Sequence, residues 1–169
     1  MPYANNNGVK ICYEVEGHGP PLVLAHGASG DMTMYRRVGY VDSLKGDYTL
    51  VLVDLRGHGQ SDKPQELSAY GPEMAIRMAE DIISVLDDLK IAKSSYFGYS
   101  MGAMVGFRAA RIYGNRFRGF VLGGMSPYKY PEPRVKINSE FAETLKASLN
   151  GLEAALSYRE RTLGRPLTS

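Results

Sequence analysis

A short apolar run that ends at Gly98-Tyr99-Ser100-Met101-Gly102 and passes at once into a helical pattern leaves this chain few ways to fold. Ser94 to Tyr99 is bounded like a buried strand, and Met101, Met104, Val105, Ala109 and Ile112 follow at helical spacing. The sequence therefore predicts strand, sharp turn and helix, with a serine at the turn. A serine that is to attack a carbonyl must stand clear of the backbone, and such a turn achieves this by holding it in a strained conformation. Glycine two residues to either side removes side chains that would collide there. The helix that follows aims its free N–H groups and the positive end of its dipole at the place where an oxyanion forms.

The rest of the chain supplies a setting for that turn. Leu22-Val23-Leu24-Ala25 is short and wholly apolar, as a central strand is, and feeds the loop His26-Gly27-Ala28-Ser29-Gly30. Tyr48 to Val53 is rich in β-branched residues and ends at Asp54-Leu55-Arg56-Gly57-His58-Gly59-Gln60-Ser61. Val9 to Glu16 alternates like a strand near a sheet edge, with turn material in Asn6-Asn7-Gly8 before it, and Gly119 to Leu122 reads as a further buried strand closed by Gly123-Gly124. Helical patterns fall between them, over about Met34 to Leu44 and from Pro72 through Ala75, Met78, Ala79, Ile82, Ile83, Leu86 and Leu89. Strand and helix in alternation predict an α/β fold with a mostly parallel sheet and ligands at the carboxyl ends of the strands. The loops after residues 25, 53 and 99 converge there.

Two divisions are expected: a core over residues 1–126, and over 127–169 a proline-rich linker with part of a helical cap. In the second, Ile137, Phe141, Leu145, Leu149, Leu152, Leu156 and Leu163 form an apolar stripe broken near Asn150-Gly151.

Composition narrows the partners. The 169 residues carry a formal net charge of +2 with the signs mixed, so neither nucleic acid nor an anionic membrane is indicated. One cysteine, Cys12, cannot form an intrachain disulfide and is expected as a small core residue. Without a charged start and apolar h-region, or a run long enough to span a bilayer, a soluble cytoplasmic protein is expected. The three histidines lie far apart and the cysteine has no companion at ligand spacing, so no metal is expected, and the glycine loops match neither a phosphate loop nor a dinucleotide fingerprint. No cofactor is expected.

These residues resemble the α/β-hydrolase superfamily over about residues 8 to 126. His18-Gly19-Pro20-Pro21-Leu22 is similar to the approach to its third strand, His26-Gly27 to the start of its oxyanion loop, Asp54-x-Arg56-Gly57-x-Gly59-x-Ser61 to the turn after its fourth strand, and Gly98-x-Ser100-x-Gly102 to its nucleophile elbow. The resemblance implies helices on both faces of a sheet in which the strand ending at 53 crosses to lie beside the first hairpin. It implies Ser100 as nucleophile, with the backbone N–H groups of Met101 and Ala28 as the oxyanion hole, and His26 as a residue that holds the oxyanion loop. His58, Asp54 and Arg56 are read as turn residues. Serine at position 100 argues against the dehalogenases and epoxide hydrolases of the superfamily, which carry aspartate there, and leaves acyl chemistry. Gly27, Ser29, Met32, Met125 and Tyr128 are the expected substrate contacts. Met34, Tyr35 and Tyr130 also flank the loops, as pocket lining or as ordinary packing.

One departure from the pattern is plain. In this fold the triad runs Ser, then Asp or Glu, then His in chain order, and no histidine follows Ser100. The triad acid and base are therefore not expected in this chain, which matches the family only up to its sixth strand and the start of a cap. Two functions stay open: a serine-type hydrolase acting on an ester, lactone, thioester or related acyl substrate through an acyl-enzyme, or a catalytically inactive binding or assembly module. The strand at 119–122 would form an open edge, so either a homodimer or a completing chain is expected to cover it, with the 137–163 stripe as a further candidate.

Overall fold

Period-two alternation divides the side chains of each central strand between two cores. In β3 (Pro21–Ala25) and β4 (Thr49–Val53), Leu22, Leu24, Leu50 and Leu52 enter one core, while Val23, Ala25, Val51 and Val53 enter the other. Strands buried on both faces carry no polar alternation, which is why residues 22–25 and 50–53 are wholly apolar. The computed structural model describes residues 1–66, 69 and 73–126, within a unit formed by Met1–Pro127.

The remaining strands are β1 (Tyr3–Asn6), β2 (Val9–Glu16), β5 (Ser94–Tyr99) and β6 (Phe117–Gly123). They form a six-stranded sheet in the order β1-β2-β4-β3-β5-β6. β3, β4, β5 and β6 run parallel, while β2 pairs antiparallel with both β1 and β4. The strand ending at 53 thus lies beside the first hairpin. One face is covered by α3 (Met74–Asp88) and α4 (Met101–Tyr113), through Met78, Ile82, Val85, Val105 and Ala109. The other carries, among the described residues, α1 (Met34–Arg37) and α2 (Tyr40–Leu44), through Tyr35 and Val41. Cys12 is fully buried in that second core. Among the described residues, no helix is long and apolar enough to cross a membrane.

Some boundaries differ from the sequence reading. The single helix expected over Met34 to Leu44 is two helices, because Gly39 adopts φ 81 and breaks the ladder between them. β1 is an addition: Asn6 ends a strand rather than belonging wholly to the turn, and Ala4 is buried opposite Ile11. β6 extends beyond 119–122 at both ends and brings in exposed Arg118, a charge on the edge strand. Pro72, and the linker and apolar stripe expected from residue 127 onward, lie outside the described residues.

Candidate active site

At the end of β5 the chain turns on Ser100, which has φ 51 and ψ −111, a region that residues with a Cβ rarely occupy. Two backbone bonds hold it there. Its N–H donates to the Gly123 carbonyl at 2.8 Å, and its own carbonyl accepts the Met104 N–H at 3.0 Å. The second bond opens α4, so the N–H groups of Met101, Gly102 and Ala103 have no partner within the helix. The glycines of the turn are required by contact: a Cβ on Gly98 would overlap the Gly102 carbonyl, and one on Gly102 would overlap the carbonyl oxygen of Ala25. The Tyr96 hydroxyl donates to the Gly102 carbonyl at 2.8 Å and fixes the first turn of α4 from below.

The loop after β3 lies against this turn. β3 and β5 are parallel with Ala25 opposite Gly98, and a Cβ built on Gly27 would stand 3.4 Å from the Cβ of Ser100. Ala28 and Ser29 are exposed, and Ser29 has φ 66. His26 is fully buried, and its ring contacts fix its tautomer. Nε2 faces the Leu55 N–H at 3.1 Å, so it accepts; Nδ1 faces the Gly27 carbonyl at 2.8 Å, so it carries the proton and donates. Burial holds the imidazole below its ordinary pKa and keeps it neutral. The Gly27 carbonyl also accepts the Gly30 N–H at 3.1 Å. Two donors on that oxygen set the plane of the Gly27–Ala28 peptide, and with it the direction of the Ala28 N–H.

The loop after β4 is tied to the same frame. Asp54 accepts the Met32 N–H on Oδ1 and the Gln60 N–H on Oδ2, each at 2.7 Å. Ser61 donates its hydroxyl to the Asp54 carbonyl at 2.6 Å and accepts the Cys12 N–H at 2.8 Å. Arg56 reaches α3, where its Nε and one terminal nitrogen each meet a carboxylate oxygen of buried Asp81 at 2.6 Å. His58 Nδ1 lies 3.1 Å from the Arg56 carbonyl, a bond within its turn.

The expected contacts divide. Gly27 and Ser29 lie on the loop beside Ser100, while Met32 is 3% exposed with its side chain in the core, because the Asp54 bond draws its backbone inward. Met34 and Tyr35 line a cavity of about 230 Å³ together with Val38, Tyr40, Phe97 and Tyr99. Met125 is half-buried, and Tyr128 and Tyr130 lie outside the described residues. Phe97 and Tyr99 were not among the expected lining residues, although their alternation with Tyr96 and Gly98 is a signal for a shared face. Asp81 was also missed.

A mostly parallel sheet, a strained serine between strand and helix, and neighbouring strand-end loops packed against it define the class: an α/β fold with a sharp strand-to-helix turn at the carboxyl end of its central strand. Residues 20–163 match the family described as the alpha/beta hydrolase fold, and the chain belongs to that family. The solved structure of a hydrolase from Pseudomonas aeruginosa has the same fold, with a TM-score of 0.76 at 24% identity over 93% of this chain and 57% of that one. An epoxide hydrolase of Caballeronia sordidicola is 30% identical over 122 residues, which is 72% of this chain and 36% of its own length. The 3-oxoadipate enol-lactonase 1 of Acinetobacter baylyi is 30% identical over 116 residues, 64% of this chain and 41% of its own. The chain spans between about a third and a little over half of the length of curated relatives it matches.

Proposed function

We propose that Ser100 is the nucleophile of a serine-type hydrolase acting on a carboxylic ester, lactone, thioester or related acyl compound. The observation that carries this reading is the positive φ of Ser100 at a strand-to-helix turn cleared by Gly98 and Gly102. Ser100 Oγ bonds to the substrate carbonyl carbon, its proton passes to a base, and collapse expels the alcohol, thiol or ring oxygen with a proton. Water then attacks the acyl-serine, releases the acid and restores the hydroxyl. The Met101 and Ala28 N–H groups receive the negative charge that develops on the carbonyl oxygen. Gly27, Ser29 and Met125 flank the substrate.

Serine itself favours acyl substrates over epoxides, although an epoxide hydrolase is among the relatives. Attack by a hydroxyl on an epoxide carbon forms an ether, which water does not cleave under these conditions, whereas attack on a carbonyl forms an ester that it does.

None of the three histidines of this sequence is assigned as the base in this reading. His26 has both nitrogens engaged, and His18 sits before the amino end of β3, opposite the site. His58 follows β4 with its ring 5.2 Å from that of His26 and its Nδ1 on the Arg56 carbonyl, a bond that holds it to its own turn. That same lack favours the second reading, a catalytically inactive hydrolase-like binding or assembly module. Hydrolysis of p-nitrophenyl acetate by the chain and by Ser100→Ala tests the choice. The expected result is a slow rate, up to about 10³–10⁴-fold over water, that falls in the variant. A rate unchanged by Ser100→Ala removes the nucleophile assignment.

A further inference from the structure

Two tyrosine hydroxyls, delivered from opposite faces of the sheet, end on neighbouring carbonyls beneath the serine turn. Tyr96, on β5, lies in the core under α3 and α4, and its hydroxyl donates to the Gly102 carbonyl at 2.8 Å. Tyr35, on α1, lies in the other core, and its hydroxyl donates to the Ala25 carbonyl at 2.9 Å. Both side chains are buried, Tyr96 at 0% and Tyr35 at 1% exposure. A buried hydroxyl needs a partner, and each of these gives its proton to a backbone oxygen at the edge of the site.

The two carbonyls belong to segments in direct contact. A Cβ built on Gly102 would stand 2.0 Å from the Ala25 carbonyl oxygen, so the first turn of α4 rests against the place where β3 leaves the sheet. Ala25 and Gly98 are the last matched pair of β3 and β5. Past that pair one chain enters the loop that carries Ala28 and the other reaches Ser100, and the strand ladder no longer sets the distance between them. Contact keeps two backbones from approaching but does not keep them from parting. The hydroxyls supply the second restraint. Tyr96 ties the α4 turn back to its own strand, and Tyr35 ties the end of β3 to a ring that packs on β5, 5.4 Å from the Phe97 ring between centroids. Tyr40 meets both of those rings edge-on, at 6.0 Å from Tyr35 and 5.2 Å from Phe97, and holds the Tyr35 ring in place. Burial pushes both phenols above their ordinary pKa, and the Tyr99 backbone N–H offsets part of that rise at Tyr35, so both remain protonated donors.

We infer that Tyr35 and Tyr96 are positioning residues for the oxyanion hole: their hydroxyls clamp the Ala25 and Gly102 carbonyls and so fix the spacing between the Ala28 and Met101 N–H groups. What those N–H groups receive rests on the acyl reading of Ser100; what holds them rests on the hydroxyl bonds. Each tyrosine acts through the peptide it holds and not on the reacting atoms.

The test uses the full chain and compares Tyr35→Phe and Tyr96→Phe, which keep the rings and remove the hydroxyls, with Tyr13→Phe. Tyr13 is also buried and donates to Asp88 at 2.5 Å, but it stands on β2, with β4 and β3 between it and β5, so its variant reports the general effect of losing a tyrosine hydroxyl. The readout is the backbone amide order parameter. The expected value falls from about 0.85 in the parent to below about 0.6 at Ala28 in Tyr35→Phe and at Met101 in Tyr96→Phe, with neither amide changed in Tyr13→Phe. Each variant is judged separately, and an unchanged value in either overturns the inference. So does a parent in which either amide is already mobile, and so does an equal fall in Tyr13→Phe, which marks a loosening of the whole fold. Hydrolysis of p-nitrophenyl acetate is measured in parallel, with kcat expected to fall at least about tenfold in each clamp variant at unchanged KM. If Ser100→Ala shows that no turnover depends on Ser100, the acyl reading is lost while the order parameters still decide the clamp. Loosened amides with undiminished Ser100-dependent turnover overturn the positioning role.

Discussion

The carboxylate of Asp54 accepts the backbone N–H of Met32 at 2.7 Å, and through that bond the loop after β4 fixes the loop after β3. The other carboxylate oxygen binds its own loop at Gln60, so a single buried side chain closes two turns at once. Asp54→Ala leaves both N–H groups without their acceptor, at a cost of about 1–3 kcal/mol each. Asp54→Asn keeps one acceptor oxygen and loses about half as much. Urea unfolding of the two variants gives the comparison, and equal stabilities would show that the two bonds are not what the carboxylate contributes.

His26 gives the fold a pH dependence of definite sign. Burial depresses its folded pKa below the ordinary 6.5, so the unfolded chain binds more protons in the window between the two values. Its contribution is complete above about 6.5 and declines as the pH falls through that window. His26→Asn removes this part of the slope. Unfolding free energies measured from about pH 8 to pH 5 show the difference, and parallel curves for both proteins would contradict it.

Gly102 tolerates no side chain, because a Cβ there would enter the Ala25 carbonyl where α4 approaches β3. Gly102→Ala costs about 3 kcal/mol or more. At Gly46 a Cβ meets nothing within 4 Å, so Gly46→Ala changes stability by less than about 0.5 kcal/mol. Thermal melts of the pair separate a steric requirement from the general effect of losing a glycine.

Ser100 is held at a backbone angle that glycine accepts without penalty. Ser100→Gly relieves about 1–3 kcal/mol of strain and loses about 0.5–1 kcal/mol to unfolded-state entropy, for a net gain of about 1 kcal/mol. Ser100→Ala keeps the Cβ and the strain. A glycine variant no more stable than the alanine variant in chemical denaturation would show that the turn is relaxed.

How far the sequence shows these relationships depends on the range over which each is set. Leu22–Ala25 and Thr49–Val53 are legible because burial on both faces writes itself into consecutive residues, and the strand before Ser100 because it stops at a glycine-flanked turn and gives way at once to helical spacing. The elbow is legible because its clearances fall on residues two positions from the serine. Asp81 is not: a charge in a helix reads as a solvated one, and its partner Arg56 lies 25 positions away. β1 is hidden because Tyr-Ala-Asn-Asn is a weak strand former that owes its conformation to pairing with Val9–Cys12. The division of the helix at Gly39 escapes because a lone glycine inside a helical pattern can be tolerated, and the sequence does not show the positive φ that ends the helix here.

A bent spring keeps its shape only as long as both ends stay pinned. One pin on Ser100 is the Met104 bond, set inside a 13-residue helix; the other is the carbonyl of Gly123, the last residue of the strand that is outermost among the described residues. Strands fray from their ends and sheets from their margins, so tension at Ser100 is released first through Gly123. The strain held at Ser100 is therefore governed from β6, and whatever steadies or loosens that strand acts as a volume control on the turn.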